Sequence, residues 1–330
     1  MSLNGKTWKR VGLGAVALVS TAVLAACGGK SSSTSSKTDE INWYTPTEIS
    51  TLDISKVTDS YSSIAIGNSG SNLLRRNEDG ELKPDLAEKV EVSEDGLTYI
   101  ATLRDGLKWS DGSDLTADDF VYTWQRIVDP ATASEYAYLA SDAHVLNAAE
   151  VINGTKSVDE LGVKADGNKV IFTLSSPSPQ FMSLLTFANF VPQNKAFVEK
   201  AGSDYATTSE KALYSGPYTV KNWNGSNGSF TLVKNKYYWD AKNVKLKKVN
   251  VQAVKKPDTA VKMYKDGELD TANISGTEAI YKANKSNKDV VDAPEATSAY
   301  LVYNETGSVK ALANTKIRQA LNLATNREGV

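Results

Sequence analysis

The sequence predicts an α/β protein of at least two domains, and three observations carry that expectation. A chain of 330 residues with 41% hydrophobic and 23% charged side chains can bury more than one core. Strand-like alternation and helix-like spacing succeed one another along it. Residues 99–130, YIATLRDGLKWSDGSDLTADDFVYTWQRIVDP, hold both periods side by side.

The amino terminus is an export signal followed by a tether. Lys6, Lys9 and Arg10 precede an apolar run, residues 11–24, that is too short for a membrane span of about 20 residues. The run ends in Leu24-Ala25-Ala26-Cys27, a lipobox in which small residues admit a peptidase to the bond before an acylated cysteine. The expected signal peptide is 1–26, with Cys27 the lipidation site. Each buried methylene is worth about 0.8 kcal/mol, so two acyl chains anchor stably where one is marginal. Residues 27–38, rich in serine and glycine, form the expected tether.

Folded elements begin near Ile41. A strand is expected over Ile41-Asn42-Trp43-Tyr44, then the pair Leu52-Asp53 and a helix over about 62–74. A hairpin turns at Glu94-Asp95-Gly96 into the strand around Tyr99, Ala101 and Leu103. Behind the turn Ser110-Asp111-Gly112, a capping box of Thr116 and Asp119 opens a helix in which Phe120, Val121, Trp124, Ile127 and Val128 recur at helical spacing, and Asp129-Pro130 ends it. A strand over 169–174 carries Val170, Phe172 and Leu174 on one side. A helix bears Phe181, Leu184, Leu185 and Phe187, Val191-Pro192 crosses back, and another helix covers 193–201. Gly216 is expected to permit a turn conformation before a strand from Tyr218, with a reversal at 224–228. A strand over 249–254 and a helix over 257–266, opened by Pro257, complete this part. Beyond it, Asn314 is the expected N-cap of a last helix.

Composition also narrows the function. His144 is the only histidine and Cys27 the only cysteine, so a Cys-His pair, a metal cluster of such ligands and an intrachain disulfide are not expected. No G-x-S-x-G elbow occurs, and the chain is expected not to be an enzyme and to need no cofactor. Three of the 37 basic residues and none of the 39 acidic ones precede Cys27, which leaves the rest five charges to the negative side. With no basic stripe along a helix, nucleic acid is not an expected partner.

Four blocks carry a resemblance. They are LRDGLKWSDGSDLTADDFVYTWQRIVDPATASEYA, the GPYTVKNW segment with the later Tyr237-Tyr238-Trp239 corner, the Gly267-Glu268-Leu269-Asp270 helix end, and Tyr300 to Asn304 with the helix after Asn314. Together they resemble the family 5 extracellular solute-binding proteins, especially the oligopeptide-binding (OppA-like) branch. Asn326 stands where the family usually has aspartate. The resemblance implies a periplasmic-binding-protein-like fold (class II, cluster C type) of mixed-sheet lobes, and a strand over Tyr300-Leu301-Val302-Tyr303-Asn304. It implies a discontinuous domain I at 39–74 and 192–270, domain II at 75–191, and the start of a third, incomplete domain at 271–330.

The implied function is a lipid-anchored component of an ABC importer on the outer face of the cell membrane, an amino-terminal portion that captures oligopeptides for the permease subunits. By position, the resemblance places Thr58, Asp59, Ser60, Tyr136, Asn273 and Tyr300 against the peptide. Core packing is the competing role for the two tyrosines, and a turn for Asn273. A peptide-pheromone receptor of the same fold and a surface adhesion or interaction lipoprotein without transport activity are the alternatives.

Overall fold

The computed structural model describes residues 39–275, 277–292, 298 and 300–327. The described residues up to Ile274 form one compact unit and those from Ser275 a second. In the first unit, β1 (Glu40–Thr45) leads to α1 (Ser60–Ser69), the short pair β2 (Leu74–Arg76) and β3 (Leu82–Pro84), then β4 (Ala87–Val92) and β5 (Thr98–Leu103). The capped helix α2 (Ala117–Val128) is followed by the short helices α3 (Tyr138–Asp142) and α4 (Ala148–Ile152) and the hairpin β6 (Val163–Asp166) and β7 (Lys169–Thr173). One turn of helix, α5 (Phe181–Leu184), precedes α6 (Lys195–Ala201), β8 (Tyr218–Lys221), β9 (Ser229–Lys234), β10 (Lys248–Ala253) and α7 (Pro257–Asp266).

Two four-stranded sheets result. One runs β4-β5-β7-β6 and is antiparallel throughout; the other runs β1-β10-β9-β8, with β1 parallel to β10 and the remaining pairs antiparallel. Each sheet has its own core. Helix α2 lays Phe120, Trp124, Ile127 and Val128 on the first sheet, where the Trp124 ring stacks on Phe190 at 4.0 Å and meets Phe172 edge-on at 5.2 Å. Val220, Trp223, Phe230, Leu232, Val249 and Val251 fill the core of the second.

The capping box forms as expected. The Thr116 N–H donates to Asp119 Oδ2 at 2.9 Å, and the Trp109 indole N–H donates to the same oxygen at 3.2 Å. Burial nonetheless pushes the Asp119 carboxyl up to about 6, outweighing these donors. Gly267, at φ 80°, closes α7 in the left-handed conformation that glycine adopts at least cost.

Several boundaries differ from expectation. Helix α1 ends at Ser69 rather than 74, because Gly70 leaves the helix with its N–H on the Ile66 carbonyl and the chain then enters β2. Helix α6 starts at Lys195, since the Asn194 side chain caps it. Gly216 is needed for a different reason than a turn conformation. A Cβ there would lie 2.7 Å from the backbone carbons of Ser69 and Gly70, while the Gly216 N–H donates to the Ser69 carbonyl at 2.8 Å. Close backbone approach, not a positive φ, is what demands glycine.

In the second unit, α8 (Glu278–Asn284) and α9 (Thr315–Ala324) are helical, and Asn314 caps α9 by accepting from the Lys316 N–H at 2.9 Å. The strand expected over 300–304 is not formed. Tyr300, Leu301 and Val302 are three-quarters or more exposed, and among the described residues no other strand pairs with them. A strand without a partner leaves its hydrogen-bonding groups to water and gains nothing over coil.

Two polar seams join the two cores. Arg126 on α2 forms a bidentate pair with Asp53, Nη1 to Oδ1 at 2.6 Å and Nη2 to Oδ2 at 2.8 Å. Its Nη1 also donates to Gln193 Oε1 at 2.6 Å, and Gln193 Nε2 donates to Ser55 Oγ at 2.8 Å. The second seam centres on buried Asp85, whose Oδ1 accepts from the Tyr238 hydroxyl at 3.0 Å and the Trp239 indole at 2.9 Å. Arg104 lies over the Trp239 ring at 3.8 Å and donates to the Asp85 carbonyl.

Gly216→Ala should destabilise the protein by about 2 kcal/mol or more, because only backbone can yield, while Gly67→Ala on the open face of α1 should stabilise it by up to about 1 kcal/mol. Urea unfolding of both variants checks the pair. Arg126→Met alone should cost about 3–5 kcal/mol by stranding Asp53, whereas Arg126→Met with Asp53→Leu should recover most of that. A double variant no more stable than the single one in the same urea series would contradict the desolvated pair.

Candidate functional site

Asp59 sets the geometry of the segment 58–60. It is the N-cap of α1: its Oδ1 accepts from the Ser62 N–H at 2.7 Å and its Oδ2 from the Ser50 hydroxyl at 2.6 Å. Partial burial raises the carboxyl, but the Ser50 and Ser62 hydrogen bonds outweigh it and hold the group below its ordinary value. Its side chain is therefore committed to the protein. Thr58 differs: it is exposed, and among the described residues neither its N–H nor its C=O has a hydrogen-bond partner. A main-chain donor and acceptor without a partner, in an exposed residue at a helix entrance, can pair with another backbone.

The residue that holds this segment was missed in the sequence. Buried Asn189 donates from Nδ2 to the carbonyls of Ile54, at 2.9 Å, and Val57, at 3.1 Å. One side-chain amide thus clamps the loop immediately before Thr58. Two residues earlier in the chain, Phe187 meets Tyr136 edge-on at 5.6 Å, and Tyr136 stacks with Tyr138 at 6.3 Å. Tyr136 is half-buried, Tyr138 is half-exposed, and 38% of Phe187 is open. The short stretch 187–189 therefore braces both an open backbone segment and an aromatic cluster. Asn189 follows an aromatic-rich run and precedes Val191-Pro192, where the sequence promised only a crossing; nothing in the local pattern marks an amide as buried.

Tyr136 is thus neither a core tyrosine nor a fully open one. Asn273 is exposed, with its N–H on the hydroxyl of buried Tyr44 at 2.9 Å. It belongs to a segment that runs beside the β1 edge, where the Asp270 N–H donates to the Asn42 carbonyl at 2.9 Å. Tyr300 belongs to the second unit and is 81% exposed, so it is not in a core. Cys27 and the tether lie outside the described residues. His144 sits in a turn at φ 60° with its carbonyl accepting from the Ser175 N–H. Among the described residues no cluster of three or more His, Cys, Asp or Glu side chains could hold a metal ion. None of the described helices is long and apolar enough to cross a membrane.

A cleft of about 280 Å³ opens beside the first seam, lined by Ser50, Lys56, Arg126, Tyr205 and Trp223 among others. The paired Asp53 and Arg126 are both part of its lining.

Comparison with known proteins identifies the architecture. Residues 81–330 match the model of bacterial extracellular solute-binding proteins, family 5 Middle. The chain is 40% identical over 336 residues to a dipeptide-binding protein of Lactococcus lactis subsp. cremoris and 35% identical over 342 to the oligopeptide-binding protein OppA of Bacillus subtilis. Each alignment covers 98% of this chain and 60% of the relative, so the chain spans about 60% of the length of these relatives. Among solved structures, the pheromone receptor PrgZ superposes with a TM-score of 0.83 at 33% identity over 88% of this chain and 57% of the receptor. OppA of Listeria monocytogenes bound to peptide gives 0.74 at 36% identity over 77% of this chain and 50% of its own. Sequence and fold agree along nearly the whole chain, which belongs to the family 5 bacterial extracellular solute-binding proteins.

Proposed function

We propose that this chain is the ligand-capturing component of an ABC importer, holding oligopeptides outside the cell and delivering them to the permease subunits in the membrane. The observation that carries the reading is the unpartnered main chain at Thr58, braced through Asn189 beside the aromatic group of Tyr136, Tyr138 and Phe187. Extended peptides are held by main-chain hydrogen bonds, with side chains in roomy hydrated pockets, and the open main chain at Thr58 with the partly exposed rings near it offers contacts of both kinds. The names of the relatives, dipeptide-binding and oligopeptide-binding, point to the same ligand class. Thr58 to Ser60, Tyr136, Asn273 and Tyr300 are the proposed contacts. Asp59 serves by shaping the segment, because its carboxylate is already occupied.

The lobes are assigned as domain I at 39–74 and 192–270, domain II at 75–191 and a third domain starting at 271. The separate cores of the two sheets, which meet near residues 73 and 190, support the first two. The protein performs no chemistry on its ligand. It is tied to the outer face of the membrane by a diacylglyceryl group on Cys27, as the lipobox indicates. A pheromone receptor is the second reading, favoured by the likeness to PrgZ. Competition between a mixed peptide pool and single hydrophobic peptides separates the two.

Calorimetric titration with a mixed pool of short peptides should give saturable heat, and Tyr136→Ala should weaken binding about tenfold while leaving the unfolding midpoint within a degree or two. Heat with a sugar and none with peptides would overturn the ligand class. Cys27→Ala should abolish incorporation of labelled palmitate and release the protein from the membrane fraction; labelling that persists in this variant would end the anchoring proposal.

A further inference from the structure

The end of the β1-β10-β9 sheet at which the described chain begins carries a concentration of lysine that peptide capture does not explain. Glu40 stands opposite Lys248, and Lys248 opposite Val233, so the start of β1, the start of β10 and the end of β9 lie together. The loop between β9 and β10, residues 235–247, therefore projects from the same end as Asp39. Within it, Lys236, Lys242, Lys245 and Lys247 are exposed, and its one acid, Asp240, accepts from the Asn243 side-chain amide at 2.6 Å.

The charges divide into two sets. Lys247 pairs with Asp39 at 2.6 Å and Lys248 with Glu40 at 3.1 Å, which fastens the incoming chain to the loop. Lys236, Lys242 and Lys245 enter no ion pair among the described residues. The Lys236 ammonium stands 4.7 Å from the centre of the Tyr237 ring, which is 37% exposed. An amphipathic ring next to an ammonium suits the depth of lipid headgroups.

The loop is braced rather than loose. Tyr238 and Trp239 are held by Asp85, the Lys234 ammonium donates to the Val244 carbonyl at 2.9 Å, and Asn235 donates to the Gly216 carbonyl at 2.9 Å. Its lysines are thus displayed from a fixed base on a chain whose exported part is net negative.

We propose that the loop 235–247 seats the folded part on an anionic lipid surface beside the anchor, through Lys236, Lys242 and Lys245. The proposal rests on the anchoring at Cys27. Eleven residues lie between Cys27 and Asp39, twelve Cα–Cα steps that span at most about 43 Å when fully extended, and Lys30 and Lys37 among them add two positive charges and no negative ones. The patch is therefore always within tether reach of the bilayer. Each lysine brought within a Debye length, about 10 Å, of an anionic surface raises the seated population roughly fivefold. Negative charge elsewhere makes the seating orientation-specific.

The test compares the acylated protein in vesicles of phosphatidylcholine alone with vesicles containing 30% phosphatidylglycerol, reading amide exchange by mass spectrometry. Exchange in 235–247 should slow several-fold in the anionic vesicles at low salt and return to its former rate at 0.5 M salt. The triple variant Lys236→Glu, Lys242→Glu, Lys245→Glu should lose this protection while exchange in β5 stays unchanged, which shows the fold intact. If the chain proves not to be acylated, the anchoring reading falls separately, and the same comparison made with protein added from solution still decides the loop. Exchange that is indifferent to lipid charge, or protection that survives the triple variant, overturns the proposal and leaves the loop to a protein partner.

Discussion

The bidentate pair of Arg126 with Asp53 is the contact on which the relation of the two cores depends. Both side chains are largely withdrawn from water, 14% and 8% exposed, so each needs the other to offset its desolvation. Gln193 and Ser55 extend the pair into a network whose members come from both chain segments of the second core and from α2 of the first. A network of this kind contributes little net stability compared with apolar packing. It specifies one docking geometry, because any slip leaves a buried charge unpaired.

The second seam works by the same logic with different chemistry. Burial raises the Asp85 carboxyl above its ordinary value, yet a tyrosine hydroxyl and an indole N–H are both aimed at it. Within the second core, the backbone of Gly216 lies directly on the end of α1, with no room for a side chain. Polar pairs thus hold together two cores that are each apolar within themselves.

That rigidity matters for what the surface can do. Asn189 sits in the crossing between the cores and spends its amide on two carbonyls of the loop before Thr58. Docking of the cores therefore dictates where the open main chain of Thr58 stands relative to Tyr136, without any contact from a ligand. A pre-set segment loses little conformational entropy on pairing with another backbone, which fits the peptide contact proposed for Thr58. The lysine loop is braced by the Asp85 seam, so the two seams place the two proposed surfaces.

Much of this protein was legible in its sequence. The capping box of α2, the hairpin at Gly96, the start of α7 at Pro257 and its stop at Gly267 all appear where expected, because each depends on neighbours a few residues apart. The family blocks identified the architecture for the same reason. Tertiary structure alone decided the rest. Asp53 and Arg126 are 73 residues apart, and Asn189 reaches the carbonyl of Val57 across 132. Gly216 looked like a turn residue and proved to be a close-approach residue, since no local pattern records what lies across the gap. Residues 300–304 have a strand's composition but no strand, for a β-ladder is a property of two segments and a sequence window shows only one.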